Sequence, residues 1–153
     1  MDALELLIQD HRKVASLMEQ CAATQDQAQC EQLFTQIKTE LEMHTQIEES
    51  IVYPAFEEYA ELADLVAESY EEHQQVKDLL QQMGAGTAGG TGFMNQLHEL
   101  RVDVEHHVDE EENELFPKVR GVFDPSDLQM MADQIEQTKQ QMQQPKVRGR
   151  GTA

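Results

Sequence analysis

His44 and Glu48 stand four residues apart, and so do His107 and Glu111. On an α-helix that spacing puts an imidazole and a carboxylate on one face, about a turn apart, so both can reach one interior point. His11 and His73 supply two more imidazoles. Two carboxylates on facing helices can each bridge a pair of cations while four imidazoles cap them in twos. A set of neutral nitrogens and bridging oxygens suits Fe, Mn or Zn, and suits Ca or Mg poorly. One histidine on an apolar face is ordinarily a satisfied core residue, and a lone His-x-x-x-Glu arises by chance in Glu-rich helices. Six inward groups without a cation are different, because burying them unpaired costs on the order of several kcal/mol.

The six residues belong to an internal repeat. Asp10-His11-x-x-Val14-x-x-Leu17-Met18-x-Gln20 aligns with Glu72-His73-x-x-Val76-x-x-Leu79-Leu80-x-Gln82. His44-x-x-x-Glu48-Glu49-x-x-x-Tyr53-Pro54 aligns with His107-x-x-x-Glu111-Glu112-x-x-x-Phe116-Pro117, the two offsets being 62 and 63 residues. His98 lies nine residues before His107, about half a helical turn away, and should face solvent. His106 has Met43 as its counterpart, but it precedes Glu111 by five residues and stays a reserve ligand.

These side chains need helices to position them, and each repeat reads as a helical hairpin. Leu4, Leu7, Ile8, His11, Val14, Ala15 and Met18 share one face at helical spacing. After a turn at Thr24-Gln25-Asp26, Leu33, Phe34, Ile37, Leu41, His44 and Glu48 line a second helix that runs to a Tyr53-Pro54 bend. A third helix spans about Glu61 to Met83, with Leu62, Leu65, Val66, Ser69, His73, Val76 and Leu80 inward. The run Gly84 to Gly92 predicts a non-helical link, and a fourth helix runs from near Phe93 to Phe116-Pro117. The expected fold is all-α: an up-down-up-down four-helix bundle over residues 1–120, whose apolar stripes only mutual packing can bury. A short extra helix follows within 121–144, started by Asp124-Pro125-Ser126-Asp127, with Met130, Met131, Ile135 and Met142 as its apolar groups and a packing role. Residues 145–153 read as a disordered tail.

Composition narrows the function classes. The chain of 153 residues is 39% hydrophobic, lacks Trp and carries a net charge of -19, with 30 acidic residues against 11 basic. Such a field repels nucleic acid and anionic lipid, so neither is expected as a partner. The acidic start Met1-Asp2-Ala3-Leu4-Glu5 is unlike a signal peptide and no apolar run is long enough to span a membrane, so a cytoplasmic protein is expected. Cys21 and Cys30 form no metal-binding pair by spacing, and read as free thiols or a surface disulfide, with free thiols favoured in a reducing compartment.

As an ensemble, His11, His44-x-x-x-Glu48, His73 and His107-x-x-x-Glu111, backed by Tyr53-Pro54 and Leu115-Phe116-Pro117, resemble the hemerythrin-like HHE domains over about residues 1–120. The resemblance implies a non-haem di-iron centre with bridging carboxylates and an oxo, hydroxo or water bridge, held by His11, His44, Glu48, His73, His107 and Glu111. It also implies a small diatomic ligand or peroxide as partner. One position departs from the oxygen carriers: where they have a second histidine one turn after the third-helix histidine, this chain has Lys77, and Tyr70 lies one turn before His73. No Glu-x-x-His occurs, unlike the carboxylate-rich di-iron oxygenases and ferritins. A nitrogen-rich site stabilises ferrous iron, which points to binding or limited turnover of O2, NO or peroxide. Three functions stay open: a ligand-binding protein, a modest oxidoreductase, and an iron-handling bundle. Spacing alone leaves iron against zinc or manganese, and the oligomeric state, undecided.

Overall fold

Asp2 starts the first helix by a reciprocal cap, accepting from the Glu5 backbone N–H while the Glu5 side chain accepts from its own. The helix, α1, spans Ala3–Ala23. Asp26 caps α2, Gln27–Ile47, across the expected tight turn. The computed structural model describes residues 1–86 and 90–143. The expected disordered tail and the middle of the Gly-rich link lie outside them.

α2 does not end at Ile47. It passes through a π-helical turn, Glu48–Val52, into α3, Tyr53–Phe56. A 3-10 turn at Ala60–Leu62 leads to α4, Ala63–Gly84. α5 spans Thr91–Glu110, passes through a second π-turn at Glu111–Leu115 and continues as α6, Phe116–Val122. The fourth arm therefore runs beyond the Phe116-Pro117 stop read from sequence. In each π-turn the N–H that follows it reaches five residues back, Tyr53 to Glu48 and Phe116 to Glu111. The widened turn lets the helix accept Pro54 and Pro117, whose missing N–H and ring would otherwise break it.

Gly84, Thr91 and Gly92 are helical, so the link is shorter than the sequence suggested. A glycine in a terminal turn costs only about 1 kcal/mol, and burial of Met83 and Phe93 beside it offsets that. α1, α2, α4 and α5 form the ring of the bundle, each packed on the next, with α5 returning against α1. α7, Pro125–Gln143, lies mainly on α1 through Leu128, Met131, Ala132 and Ile135. Ala15 faces solvent, against the expected inward pattern, and Met130 of the extra helix is 64% exposed.

The apolar interior is split. One cluster gathers Leu4, Leu7, Tyr53, Phe56, Val66, Phe116 and the inner face of α7. The other holds Val14, Met18, Ile37, Leu41, Leu80, Leu97 and Leu100, out to the α1–α2 turn. Cys21 and Cys30 are free thiols buried in this second cluster with their sulfurs 3.5 Å apart, so the pair does not lie at the surface. Burial and the neighbouring Cys30 push the Cys21 thiol up to about 12.

Ile37→Ala removes a side chain with no exposure and should cost about 2–5 kcal/mol in urea unfolding. Met130→Ala should stay within about 0.5 kcal/mol.

Candidate metal centre

Between the two apolar clusters lies a single polar layer. His11, His44, Glu48, His73, His107 and Glu111 are all buried in it, with Glu48 at 0% and Glu111 at 1% exposure. Their donor atoms form two overlapping groups, His11/His44/Glu48/Glu111 and Glu48/His73/His107/Glu111, each with donors within 4.8 Å of one another. Both glutamates belong to both groups, which is the arrangement two bridging carboxylates require. The π-turns start at these same glutamates.

Each imidazole has its Nδ1 against a carboxylate. The partners are Glu112 for His11 at 2.7 Å, Asp10 for His44 at 3.0 Å, Glu49 for His73 at 2.7 Å and Glu72 for His107 at 2.6 Å. A carboxylate there keeps the proton on Nδ1, so Nδ1 donates outward and the Nε2 lone pair turns inward. Behind three of the carboxylates stands a cation, Arg12 on Glu112 at 2.7 Å, Lys139 on Asp10 at 2.6 Å and Lys77 on Glu49 at 3.0 Å, and behind Glu72 the His106 ring at 3.4 Å. Four spokes of imidazole and carboxylate thus radiate from the core, each ending on a basic side chain.

Without a cation the interior is poorly satisfied. His11 Nε2, His44 Nε2, Glu48 Oε2 and Glu111 Oε1 have no hydrogen-bond partner although they are buried. His11 Nε2 and Glu111 Oε1 are 3.1 Å apart, and His44 Nε2 and Glu48 Oε1 3.3 Å, but neither pair is aligned for a hydrogen bond. Four orphaned atoms, two nitrogens and two oxygens facing one another, fit a cation and fit little else. Metal-free, the layer holds protons instead. Burial alone would lower His44, but the charge of Glu48 and the Asp10 hydrogen bond overcome it and raise it to about 10. Burial would raise Glu48, yet the His44 charge and the surrounding imidazoles hold it well below the usual carboxylate range. Glu111 is likewise lowered, burial and Glu48 being outweighed by His107 and His11.

Sequence reasoning missed several contributors. Tyr53, read only as part of a bend, puts its hydroxyl on Glu111, 3.0 Å from Glu48 Oε1 and 3.2 Å from His73 Nε2. Its repeat counterpart Phe116 has no hydroxyl and stacks on His11 at 6.3 Å. The two halves of the centre are therefore unequal. Burial and the two glutamates push the Tyr53 phenol well up, so it keeps its proton. Asp10, Glu49, Glu72 and Glu112 were visible in the repeat, where acidic residues recur beside the ligands, but were not read as supports. Arg12, Lys139 and the role of Lys77 left no signal, because these cations do not repeat.

Of the open candidates, Lys77 pairs with Glu49 outside the layer and does not stand in for a fifth histidine. Tyr70 packs edge-on against Tyr53 at 5.2 Å and turns its hydroxyl toward Glu57, away from the centre. His106 is exposed and points into an outer group with Glu68, Glu72 and Glu110. His98 faces solvent as expected.

Comparisons with known proteins agree with this geometry. Residues 2–119 match the family described as the hemerythrin HHE cation binding domain. An uncharacterised hemerythrin-like protein of Schizosaccharomyces pombe is 30% identical over 137 residues, covering 88% of this chain and 68% of its own length. A protein of Nostoc sp. named DNA nickase is 27% identical over 144 residues, and this chain spans only 41% of its length. A crystal structure of a hemerythrin HHE cation binding domain-containing protein from Mycobacterium kansasii superposes with a TM-score of 0.81 at 24% identity, covering 93% of this chain and 87% of that one.

Asp10→Asn and Glu112→Gln should each weaken metal binding about 10–100-fold in a chelator competition, without loss of helicity. In chelator-stripped protein, the stability contributed by His44 is complete below its ordinary 6.5 and is lost as pH rises through about 10. That from Glu48 is present above its ordinary 4.5 and is lost as pH falls through its lowered value. The metal-free melting temperature should accordingly peak between those ordinary values. A rise from pH 7 to 10 would contradict the assignment.

Proposed function

This chain belongs to the hemerythrin HHE cation-binding domain family, and from that premise we propose that it is a non-haem di-iron protein that binds O2 or NO. His11 and His44 would hold one iron, His73 and His107 the other, with Glu48 and Glu111 shared between the two groups. Iron there would supply redox chemistry and a binding position for a diatomic ligand. The glutamates offset only two of the four charges of a ferrous pair, which favours the reduced state.

The observation that carries the reading is a cavity of about 30 Å³ against the four histidines, walled otherwise by Asp10, Val14, Leu41, Thr45, Val76, Val104 and Val108. A space of that size admits a molecule of two heavy atoms, and its walls away from the histidines and Asp10 are mainly aliphatic, which suits an uncharged ligand. The carboxylates outside each Nδ1 orient the imidazoles and keep their Nε2 atoms available.

A second reading, turnover of peroxide or reduction of NO, is favoured by Tyr53. Its hydroxyl, which keeps its proton, lies 3.2 Å from His73 Nε2 and 3.5 Å from His107 Nε2 and so offers a hydrogen-bond donor on that half of the centre only. The nickase activity of the Nostoc relative is not carried across, because this chain spans 41% of that protein and its charge of -19 opposes phosphate.

Purified protein should carry two irons per chain, and the ferrous form should gain a visible colour under O2 that bleaches under argon. Sustained gas release from peroxide, reduced at least tenfold in Tyr53→Phe with metal retained, would favour the second reading instead. Metal that exchanges freely with no spectral response to any of these would leave iron handling. Glu48→Ala or Glu111→Ala should lose both irons while His98→Ala keeps them; equal losses would sink the ligand assignment. Metal removal should lower the melting temperature by several degrees, since a ligand at a thousand times its Kd contributes about 4 kcal/mol.

A further inference from the structure

Three wall residues of the inner cavity, Leu41, Thr45 and Val76, also wall an open groove of about 610 Å³ between α2 and α4. They are only 6%, 6% and 7% exposed, so cavity and groove are separated by a partition one side chain thick. The other surface clefts described, toward the Gly-rich link, the α1–α2 turn and the end of α7, share no residue with the cavity. α2 and α4 belong to different hairpins and touch sparsely, so the partition is braced by side chains and not by a tight turn.

Resting on the diatomic-binding reading above, we infer that two-atom ligands reach the centre from the α2–α4 groove, and that Thr45, with Leu41 and Val76, is the gate they cross. A neutral diatomic needs no polar path, and Leu41 and Val76 give it an apolar one. Thr45 is the mobile element, because a helical threonine divides between two χ1 rotamers where valine holds one. It follows His44 directly in the chain. Lys77 and Glu49, 3.0 Å apart, stand among the groove's walls, so the residue found in place of a carrier's fifth histidine faces the entrance and not the metals.

A gate raises or lowers one barrier crossed in both directions. Stopped-flow NO binding to the ferrous iron-loaded protein should therefore show entry and escape both at least tenfold slower in Thr45→Leu, both several-fold faster in Thr45→Ala, and Kd within twofold of the parent. Val104→Leu, which alters the cavity but not the groove, should shift Kd instead. Thr45→Ala alone decides the matter if the larger variant fails to fold. Independently of iron, dissolved O2 under pressure should broaden the methyl resonances of Leu41, Thr45 and Val76 together with Val104 in metal-free protein. Unchanged NO rates in the variants, or broadening that reaches Val104 while sparing those three, would overturn the route. If the parent binds no NO at all, the binding reading falls, while the broadening pattern still decides the path.

Discussion

Two carboxylates buried at the centre of a helical bundle are the constraint on which the rest of this structure depends. Glu48 and Glu111 have essentially no access to solvent, and an ionised carboxylate in such a place is tolerated only with opposite charge and hydrogen bonds around it. Everything within reach is arranged accordingly. Four imidazoles face the pair, four outer carboxylates hold those imidazoles, and Arg12, Lys77, Lys139 and the His106 ring stand against the carboxylates. The alternation of sign spreads the cost of burial over three layers and ends in solvent, where charge is cheap to keep.

The layer also divides the core. Apolar side chains cannot satisfy it, so they pack above and below as two clusters, and the bundle must be continuous enough to bridge the interruption. The π-turns serve that continuity. By widening the helix at Glu48 and Glu111 they place a carboxylate inward and let the chain continue through Pro54 and Pro117 without a break. α7, whose expected role was packing alone, both closes the lower cluster through Leu128, Met131 and Ile135 and reaches the charged layer through Lys139 and Asp10.

The duplicated frame has not kept its two halves alike. Tyr53 gives a hydroxyl to one cation position and Phe116 gives an aromatic face to the other, so two ions held in the same set of donors would differ in reactivity. The outer basic residues differ as well, with arginine, two lysines and a histidine in the four spokes. The symmetric scaffold thus gives the two groups of donors unlike surroundings.

By itself the sequence determined the helices, their pairing into hairpins and the six inward donors, because helical periodicity and an in-phase repeat are properties of neighbours along the chain. Even Asp10, Glu49, Glu72 and Glu112 were present in that repeat, recognisable once their neighbours are known to be ligands. Only the tertiary structure decided that Tyr53 enters the layer, that Lys77 turns to Glu49, that Lys139 comes 129 residues along the chain to meet Asp10, and that the fourth arm runs on past Pro117. Those outcomes depend on which side chains arrive from other helices at a given height. A hydroxyl, an ammonium or a π-turn is fixed by the partners it finds across the bundle, and a pattern along one strand of residues holds no record of them.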